Sequence, residues 1–572
     1  MSVRDQALAW AAADPDPATA AEVRALVEKG NDAELADRFG ARLEFGTAGL
    51  RGVLGGGPNR MNRAVVRRTT AGLARYLKAK VPGAAQKGVV VGRDGRKLSK
   101  EFAADTAAVL AAEGLKAHVF EDLAPTPLTA YAVNALGAAG AVMVTASHNP
   151  PEYNGYKVYW GNGAQIIPPH DGGIAAAIDA VGPANEVKLL DEKEARAKGL
   201  WLDVAAKVER DYFDAILALR PNKKPGDLSI VYSAMHGVGG RFVAQALKEA
   251  GFTRFHPVAE QQEPDGNFPT VRFPNPEEKG AMDLSTALAE RVKADVVLAN
   301  DPDADRLAVM ARDADGKLTM LSGNEVGVLL GHYLLTQQQT KKPLVITTIV
   351  SSAQLRAIAE ALGAAYDETL TGFKWIANRA LEREPVEGVT FVFGYEEALG
   401  YTVGTVARDK DGVGAALVAA DMAAWCKQRG KTLYGYLEEV QRAHGLFVAR
   451  QANFTLPGAA GQALIGKVMA AFRERSIDSA AGLKVLASND YQKHPRLPSS
   501  NVLSWELEGG SRITARPSGT EPKIKFYFEL KEKMKTGEPI RDARARAMKN
   551  LDALEHDFLA QAYARGLPEG KN

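Results

Sequence analysis

A chain of 572 residues is too long for a single hydrophobic core and suggests about three or four domains. Its 71 lysines and arginines stand against 69 aspartates and glutamates, and a formal charge of +2 excludes a strong overall field for nucleic acid or an anionic membrane surface. The lone cysteine, Cys426, excludes an intramolecular disulfide and reads as a buried structural thiol, which fits a reducing cytoplasm.

In chain order, residues 1–23 carry Asp5, Asp14 and Asp16 among alanines and lack the basic region and apolar core of a secretory signal. No apolar run approaches the ~20 residues that cross a bilayer, so a soluble intracellular protein is expected. Residues 1–42 read as mostly helical, an arm on the first domain. From about 87 to 393, strand-like apolar runs alternate with amphipathic runs, which predicts α/β layers with largely parallel sheets.

A first block predicts strands at 88–91, 116–120 and 141–145 and a helix at 100–114, and the last strand delivers Ser147 on a loop at its carboxyl end. Ser147 also suits a plain turn, because Ser, His, Asn and Pro are loop formers. Lys157 follows closely enough to set an ammonium beside that loop. The second block predicts a strand at 228–232, a helix carrying Phe242, Val243, Ala246 and Leu247, and a buried strand at 295–299 that ends on Asp301, Asp303 and Asp305. Carboxylates at alternate positions of an extended segment can share one cation. An EF-hand is rejected, because Arg306 and Arg312 stand where Gly and Glu are needed. Three protein oxygens suit Mg²⁺ shared with a phosphate oxygen, the alternative being a solvated acidic turn. Residues 313–316 read as a hairpin turn, and His236 as either a ligand contact or a structural histidine.

The third block predicts a strand at 344–348, a helix at 352–362 and a strand at 389–393 that releases Glu396 and Glu397, where a carboxylate can accept two vicinal hydroxyls. Thr371 and Gly372 resemble a second ligand loop, and Lys410 lies between carboxylates in what could be an exposed turn. The tail, with strands at 453–456, 483–487, 501–507, 512–515 and 523–530 and helices at 460–473 and 541–564, reads as an α+β domain. Arg516, Ser518, Gly519 and Thr520 form a tight loop equipped as a phosphate pocket. Expected domains are 1–210, 211–325, 326–448 and 449–572. Residues 430–432 lack the upstream glycine of a Walker A loop, and no dinucleotide fingerprint opens a βαβ unit, so ATP- and NAD-driven chemistry lose support.

Taken together, GTAGLRG at 46–52, TASHNP at 145–150, DPDADR at 301–306, GYEEALGY at 394–401 and RPSGTEPK at 516–523 resemble the α-D-phosphohexomutase family, most closely its phosphoglucomutase-2-like branch, over about 44–527. The resemblance implies three similar α/β domains with mixed, largely parallel sheets plus a C-terminal α+β domain around one central cleft. It implies a phosphoserine at Ser147 that completes a Mg²⁺ site with Asp301, Asp303 and Asp305. His148 would border it, and Arg51 and Lys157 would lie near the reacting groups. Arg306 would contact substrate and Lys410 would serve proton transfer. Thr371, Gly372 and Glu396 would line the sugar site, and Arg516, Ser518, Gly519 and Thr520 would grip the distal phosphate.

The implied reaction interconverts glucose 1-phosphate and glucose 6-phosphate, with glucose 1,6-bisphosphate as intermediate and activator, in a cytoplasmic monomer or homodimer whose partners are small sugar phosphates. Many members carry serine where this chain has Ala398, which removes one sugar contact and leaves pentose or mannose phosphates as alternatives. A phosphoserine-type phosphatase and a non-catalytic sugar-phosphate sensor are the other readings.

Overall fold

The computed structural model describes residues 2–46, 49–456, 458–518 and 522–570. The chain divides into two compact units, Met1–Leu321 with Ala398–Thr432, and Ser322–Glu397 with Leu433–Asn572. The segment 398–432 is thus grouped with the first unit, although the sequence on either side of it belongs to the second.

In that unit three helices, Val3–Ala13, Pro17–Glu28 and Asp32–Phe39, pack around a small core of Ala7, Ala11, Val23, Leu35 and Phe39. Each starts on a side-chain cap, Ser2, Asp16 and Asn31, that accepts from a first-turn amide. Next comes a sheet in the order Leu50–Val53, Tyr153–Trp160, Gly140–Val144, Val89–Arg93, Ala117–Val119, Trp201–Asp203. Its first two pairings are antiparallel and the rest parallel. The central strands are buried along nearly their whole length, as a sheet covered on both faces requires. The predicted helix at 100–114 is Ser99–Ala112.

A second sheet in the same unit runs Leu318–Met320, Ala308–Arg312, Val296–Ala299, Ser229–Ser233, Arg254–Pro257, antiparallel over the first two pairings and parallel over the last two. The turn at 313–316 is the hairpin the Asp-Gly ending predicts, closed by the Asp313 amide on the Lys317 carbonyl at 2.9 Å, with Gly316 at φ 77°. Both sheets release their functional loops at the carboxyl ends of parallel strands. Cys426 is fully buried in the helix Gly412–Lys427.

The second unit pairs Pro343–Thr348 in parallel with Ala365–Thr369 and with Thr390–Glu396. Its other sheet is antiparallel throughout, in the order Leu446–Thr455, Lys523–Glu532, Arg512–Pro517, Leu503–Leu507, Leu483–Asp490, Ser479–Ala480. Helices Gly458–Glu474 and Ile540–Tyr563 belong to the same core, where Phe472 and Phe558 stack at 5.3 Å beside Trp505. The strand expected at 453–456 is the end of a ten-residue strand, Leu446–Thr455. Its first half mixes buried and exposed positions, so it shows no clean alternation. No helix of the described residues is long and apolar enough to cross a membrane.

Within this unit His332 on the helix Gly323–Gln337 sits 2.6 Å from the Tyr436 hydroxyl and 5.2 Å, ring to ring, from His444. Burial, reinforced by His444, pushes its imidazole down to about 4. A histidine depressed in the folded state binds its proton more readily when unfolded, so its share of stability is full above about 6.5 and drains away as pH falls towards 4. Comparing chemical denaturation of wild type and His332→Gln at pH 7 and pH 4 should show the wild type losing on the order of 2 kcal/mol more than the variant. An unchanged difference between the two pH values would contradict this account.

Candidate active site

Ser147 lies just beyond the strand Gly140–Val144, with its backbone at φ 52°, a left-handed setting that costs a β-substituted residue about 1–2 kcal/mol. Its amide donates to Thr145 Oγ1 at 2.8 Å. Arg96, on the loop after the neighbouring parallel strand Val89–Arg93, gathers the turn from beneath. Its guanidinium donates to the carbonyls of Ser147 and Asn149 at 2.5 Å each, Pro150 at 2.9 Å and Tyr153 at 3.2 Å. Asp94 pairs with that guanidinium at 3.4 Å, and the Phe268 ring faces it at 4.9 Å.

The hydroxyl so presented donates to Asp301 Oδ2 at 2.8 Å and lies 3.2 Å from His148 Nδ1. Burial, with Arg306 and Arg51 nearby, holds His148 well below the usual imidazole range, so it is neutral at pH 7. Arg51, on the edge strand Leu50–Val53, donates to Asn149 Oδ1 at 3.0 Å.

Asp301, Asp303 and Asp305 are each no more than 1% exposed, and their carboxylate oxygens lie within 4.8 Å of one another. Like charges at that spacing repel by on the order of 3 kcal/mol per pair at an effective dielectric constant of about 20. Cations answer this from other segments. Lys157 Nζ contacts Asp303 Oδ2 at 2.7 Å and Asp305 Oδ2 at 2.8 Å, and Lys410 Nζ reaches Asp305 Oδ2 at 3.2 Å. Burial alone would raise Asp305, but Lys157, Lys410 and Arg306 outweigh it and hold the carboxyl below its ordinary range. Burial depresses Lys157, and Asp303 and Asp305 more than restore it, so it stays an ammonium. Asp301 has no lysine, and burial with its two acidic neighbours pushes it well above the usual carboxylate range.

Asp303 Oδ1 and Asp305 Oδ1 are buried without a hydrogen-bond partner, whereas Asp303 Oδ2 also accepts from Thr126 Oγ1 at 2.6 Å. Three buried carboxylates within reach of one another, with two hard oxygens unpartnered, are a donor set that fits Mg²⁺. Asp301, Asp303 and Asp305 would hold it.

The acidic turn is itself fixed. Asn300 Nδ2 donates to the carbonyls of Arg306 and Gly412, its Oδ1 accepts from Tyr232 at 2.8 Å, and the Arg306 amide closes on Asp301 Oδ1 at 3.0 Å. Gly412, at the start of its helix, is pressed so closely on the Ala304 and Arg306 carbonyls that a Cβ would collide with both. That contact brings Lys410, far away in sequence, to Asp305. Its side chain is 12% exposed, so it is no exposed turn residue. His236 is hydrogen-bonded to Thr270 Oγ1 at 2.8 Å.

The remaining sequence candidates lie in the second unit. Glu396 Oε1 accepts from the Gly372 amide at 2.7 Å, which joins the two loops expected to bind sugar, and Thr371 Oγ1 is buried without a partner. Glu397 accepts from Ser351 at 3.1 Å. Arg516 Nη1 lies 3.5 Å from the Tyr527 hydroxyl, and the Ser518 amide donates to the Lys523 carbonyl at 2.7 Å across the hairpin. Gly519 and Thr520 lie outside the described residues. Arg96, Thr126 and Asn300 were not singled out from sequence, and Asn149 only as part of TASHNP. Arg96 carried one signal, its place just past a buried strand parallel to the serine's.

Residues 42–184 match the family domain described as phosphoglucomutase/phosphomannomutase, alpha/beta/alpha domain I, residues 210–316 match domain II, and residues 322–443 match domain III. The chain is 38% identical to a phosphopentomutase of Mus musculus over 97% of its own length and 94% of the relative's. It is 44% identical to a protein of Haemophilus influenzae named "Probable phosphomannomutase", covering 83% of this chain and 93% of that one. It is also 35% identical to a phosphoglucomutase of Staphylococcus epidermidis, covering 85% and 90%. With this similarity along nearly its whole length, the chain belongs to the α-D-phosphohexomutase family of phosphoglucomutases and phosphomannomutases, intramolecular phosphotransferases of the isomerase class.

Proposed function

We propose that the protein is a phosphoglucomutase, interconverting glucose 1-phosphate and glucose 6-phosphate through a phosphorylated Ser147. The observation that carries this reading is the hydroxyl of Ser147, buried and held 2.8 Å from Asp301 at the edge of an acid cluster that fits Mg²⁺ and is braced by two lysines.

In the forward half-reaction the free sugar hydroxyl attacks the phosphorus on Ser147. The new P–O bond forms to the sugar as the bond to Ser147 Oγ breaks, giving glucose 1,6-bisphosphate. The reverse transfer, after the sugar turns end for end, returns the other phosphate to Ser147. Lys157 and Arg306 spread the negative charge that builds on the transferring group, the main service a protein gives to phosphoryl transfer. Mg²⁺ held by Asp301, Asp303 and Asp305 would supply further neutralisation of that charge. Arg96 and Thr145 hold the serine turn rigid, so the oxygen that leaves in one half-reaction is in place to attack in the other. We assign proton transfer at the sugar hydroxyl to Lys410. In the second unit we assign sugar hydroxyls to Glu396, Thr371 and Gly372, and the unreactive phosphate to Arg516 and Ser518 with Gly519 and Thr520. A serine left bare by escape of the bisphosphate is re-primed by free glucose 1,6-bisphosphate, which therefore acts as an activator.

The glucose reading draws support from the Staphylococcus relative named phosphoglucomutase. A pentose phosphate is the second reading, favoured by the near full-length match to a phosphopentomutase and by Ala398, which offers no hydroxyl to a hexose. Coupled assays with glucose, mannose, ribose and N-acetylglucosamine 1-phosphates decide between them. Glucose 1-phosphate should give the highest kcat/KM, and a preference for ribose 1-phosphate of about tenfold or more would move the assignment to pentoses.

Two further outcomes test the chemistry itself. Incubated with glucose 1,6-bisphosphate, the wild type should gain the mass of one phosphoryl group and Ser147→Ala none, with kcat in the variant reduced at least about 10³-fold. Chelation should abolish turnover and added Mg²⁺ restore it. Free phosphate released in step with substrate loss would instead identify a phosphatase.

A further inference from the structure

We infer that Tyr159 and Gln165 are positioning residues for phosphoryl transfer, acting on Lys410 through the buried carboxylate of Asp409. The inference rests on the mutase reading, in which Lys410 takes part in the reaction. Tyr159 follows Lys157 by two residues on the strand Tyr153–Trp160, so the two side chains share a face. From that one face, Lys157 reaches Asp303 and Asp305 while the Tyr159 hydroxyl donates to Asp409 Oδ2 at 2.6 Å. Gln165 Nε2 donates to the same oxygen at 3.1 Å. Asp409 Oδ1 accepts from the Lys410 amide at 2.7 Å and from Lys410 Nζ at 3.2 Å.

Both oxygens of Asp409 are thus engaged. The carboxylate is 1% exposed and cannot turn without breaking hydrogen bonds that water would not replace. Its orientation decides where the Lys410 ammonium sits, 3.2 Å from Asp305 Oδ2. Tyr159 is suited to this task because burial, and Asp409 beside it, push the phenol well above its usual range and keep it a donor. Its 1% exposure shows a ring fully enclosed, so removing only the oxygen leaves the packing in place. Without that hydroxyl, Asp409 keeps Gln165 alone on Oδ2 and can swing, and Lys410 loses its fixed distance to Asp305. The residues assigned to sugar and distal phosphate are others, so the effect belongs in turnover rather than in substrate affinity.

The experiment compares wild type, Tyr159→Phe, Asp409→Asn and the double variant for kcat, KM and thermal unfolding, using the preferred sugar phosphate. Tyr159→Phe should lower kcat about tenfold with KM within about twofold. On the Asp409→Asn background it should lower kcat no further, because its route to Lys410 is already cut. A merely structural tyrosine would shift the unfolding temperature and leave kcat alone. The inference is overturned by an unchanged kcat, by a change confined to KM, or by an equal loss on both backgrounds. Should Tyr159→Phe not fold, Gln165→Met, at a half-buried site, must lower kcat in the same sense by about threefold, and an unchanged kcat there is equally fatal. A wild type active on sugar phosphates with an indifferent Tyr159→Phe sinks this inference alone, whereas a wild type that interconverts none of the sugar phosphates sinks the mutase reading and this one with it.

Discussion

Three carboxylates buried within 4.8 Å of one another are the feature around which the first unit is arranged. Such a cluster is untenable on its own, because each charge is both desolvated and repelled. Lys157 arrives from the middle of a strand in one sheet, Lys410 from the approach to a helix more than a hundred residues past the cluster, and Thr126 from the start of another helix, Thr126–Leu136. These contacts are shorter than about 3.3 Å and nearly dry, so the elements that carry them must keep register to within a fraction of a residue. Placement of sheets and helices in this unit is thereby tied to charge balance as well as to apolar burial.

The same economy governs the serine turn. Ser147 sits in a backbone setting unfavourable for any side chain but glycine's, and one guanidinium holds it there by binding four carbonyl oxygens of the turn. A hydroxyl fixed in this way is preorganised, the condition on which electrostatic catalysis depends. Asn300 and Gly412 do for the acidic turn what Arg96 does for the serine, one by bridging two carbonyls and the other by having no side chain to keep the helix away.

The second unit uses charge differently. Arg512, 4% exposed, donates to Glu368 Oε1 at 3.1 Å and to the Ser351 carbonyl at 2.5 Å, and Glu529 accepts from the Ala353 amide at 2.9 Å. This buried network ties the antiparallel sheet to the parallel strands within the unit and shapes the ends of the loops that carry Glu397 and Thr371. Its charges are internally paired, and Glu396 is likewise engaged by the Gly372 amide at 2.7 Å.

Much of this was legible in the residues themselves. Buried strands such as Val89–Arg93 and Val296–Ala299 are continuous apolar runs, and the polar loops that end them stand out because charge there has no structural excuse. Ser147 and the three aspartates were visible for that reason. The strand Tyr153–Trp160 was not, since its tyrosines, lysine and tryptophan show neither alternation nor an apolar run, although six of its eight residues are buried. The partners of the site were hidden for a different cause. Local pattern determines what each segment becomes and which end of a strand a loop leaves from, because those depend on periodicity and turn chemistry within a few residues. That Arg96 lies under the serine, that Lys410 joins Lys157 on one aspartate, and that residues 398–432 group with the first unit follow only from the folded structure. Such pairings are settled by burial and Coulomb energy between segments far apart in the sequence, and no single segment contains that information.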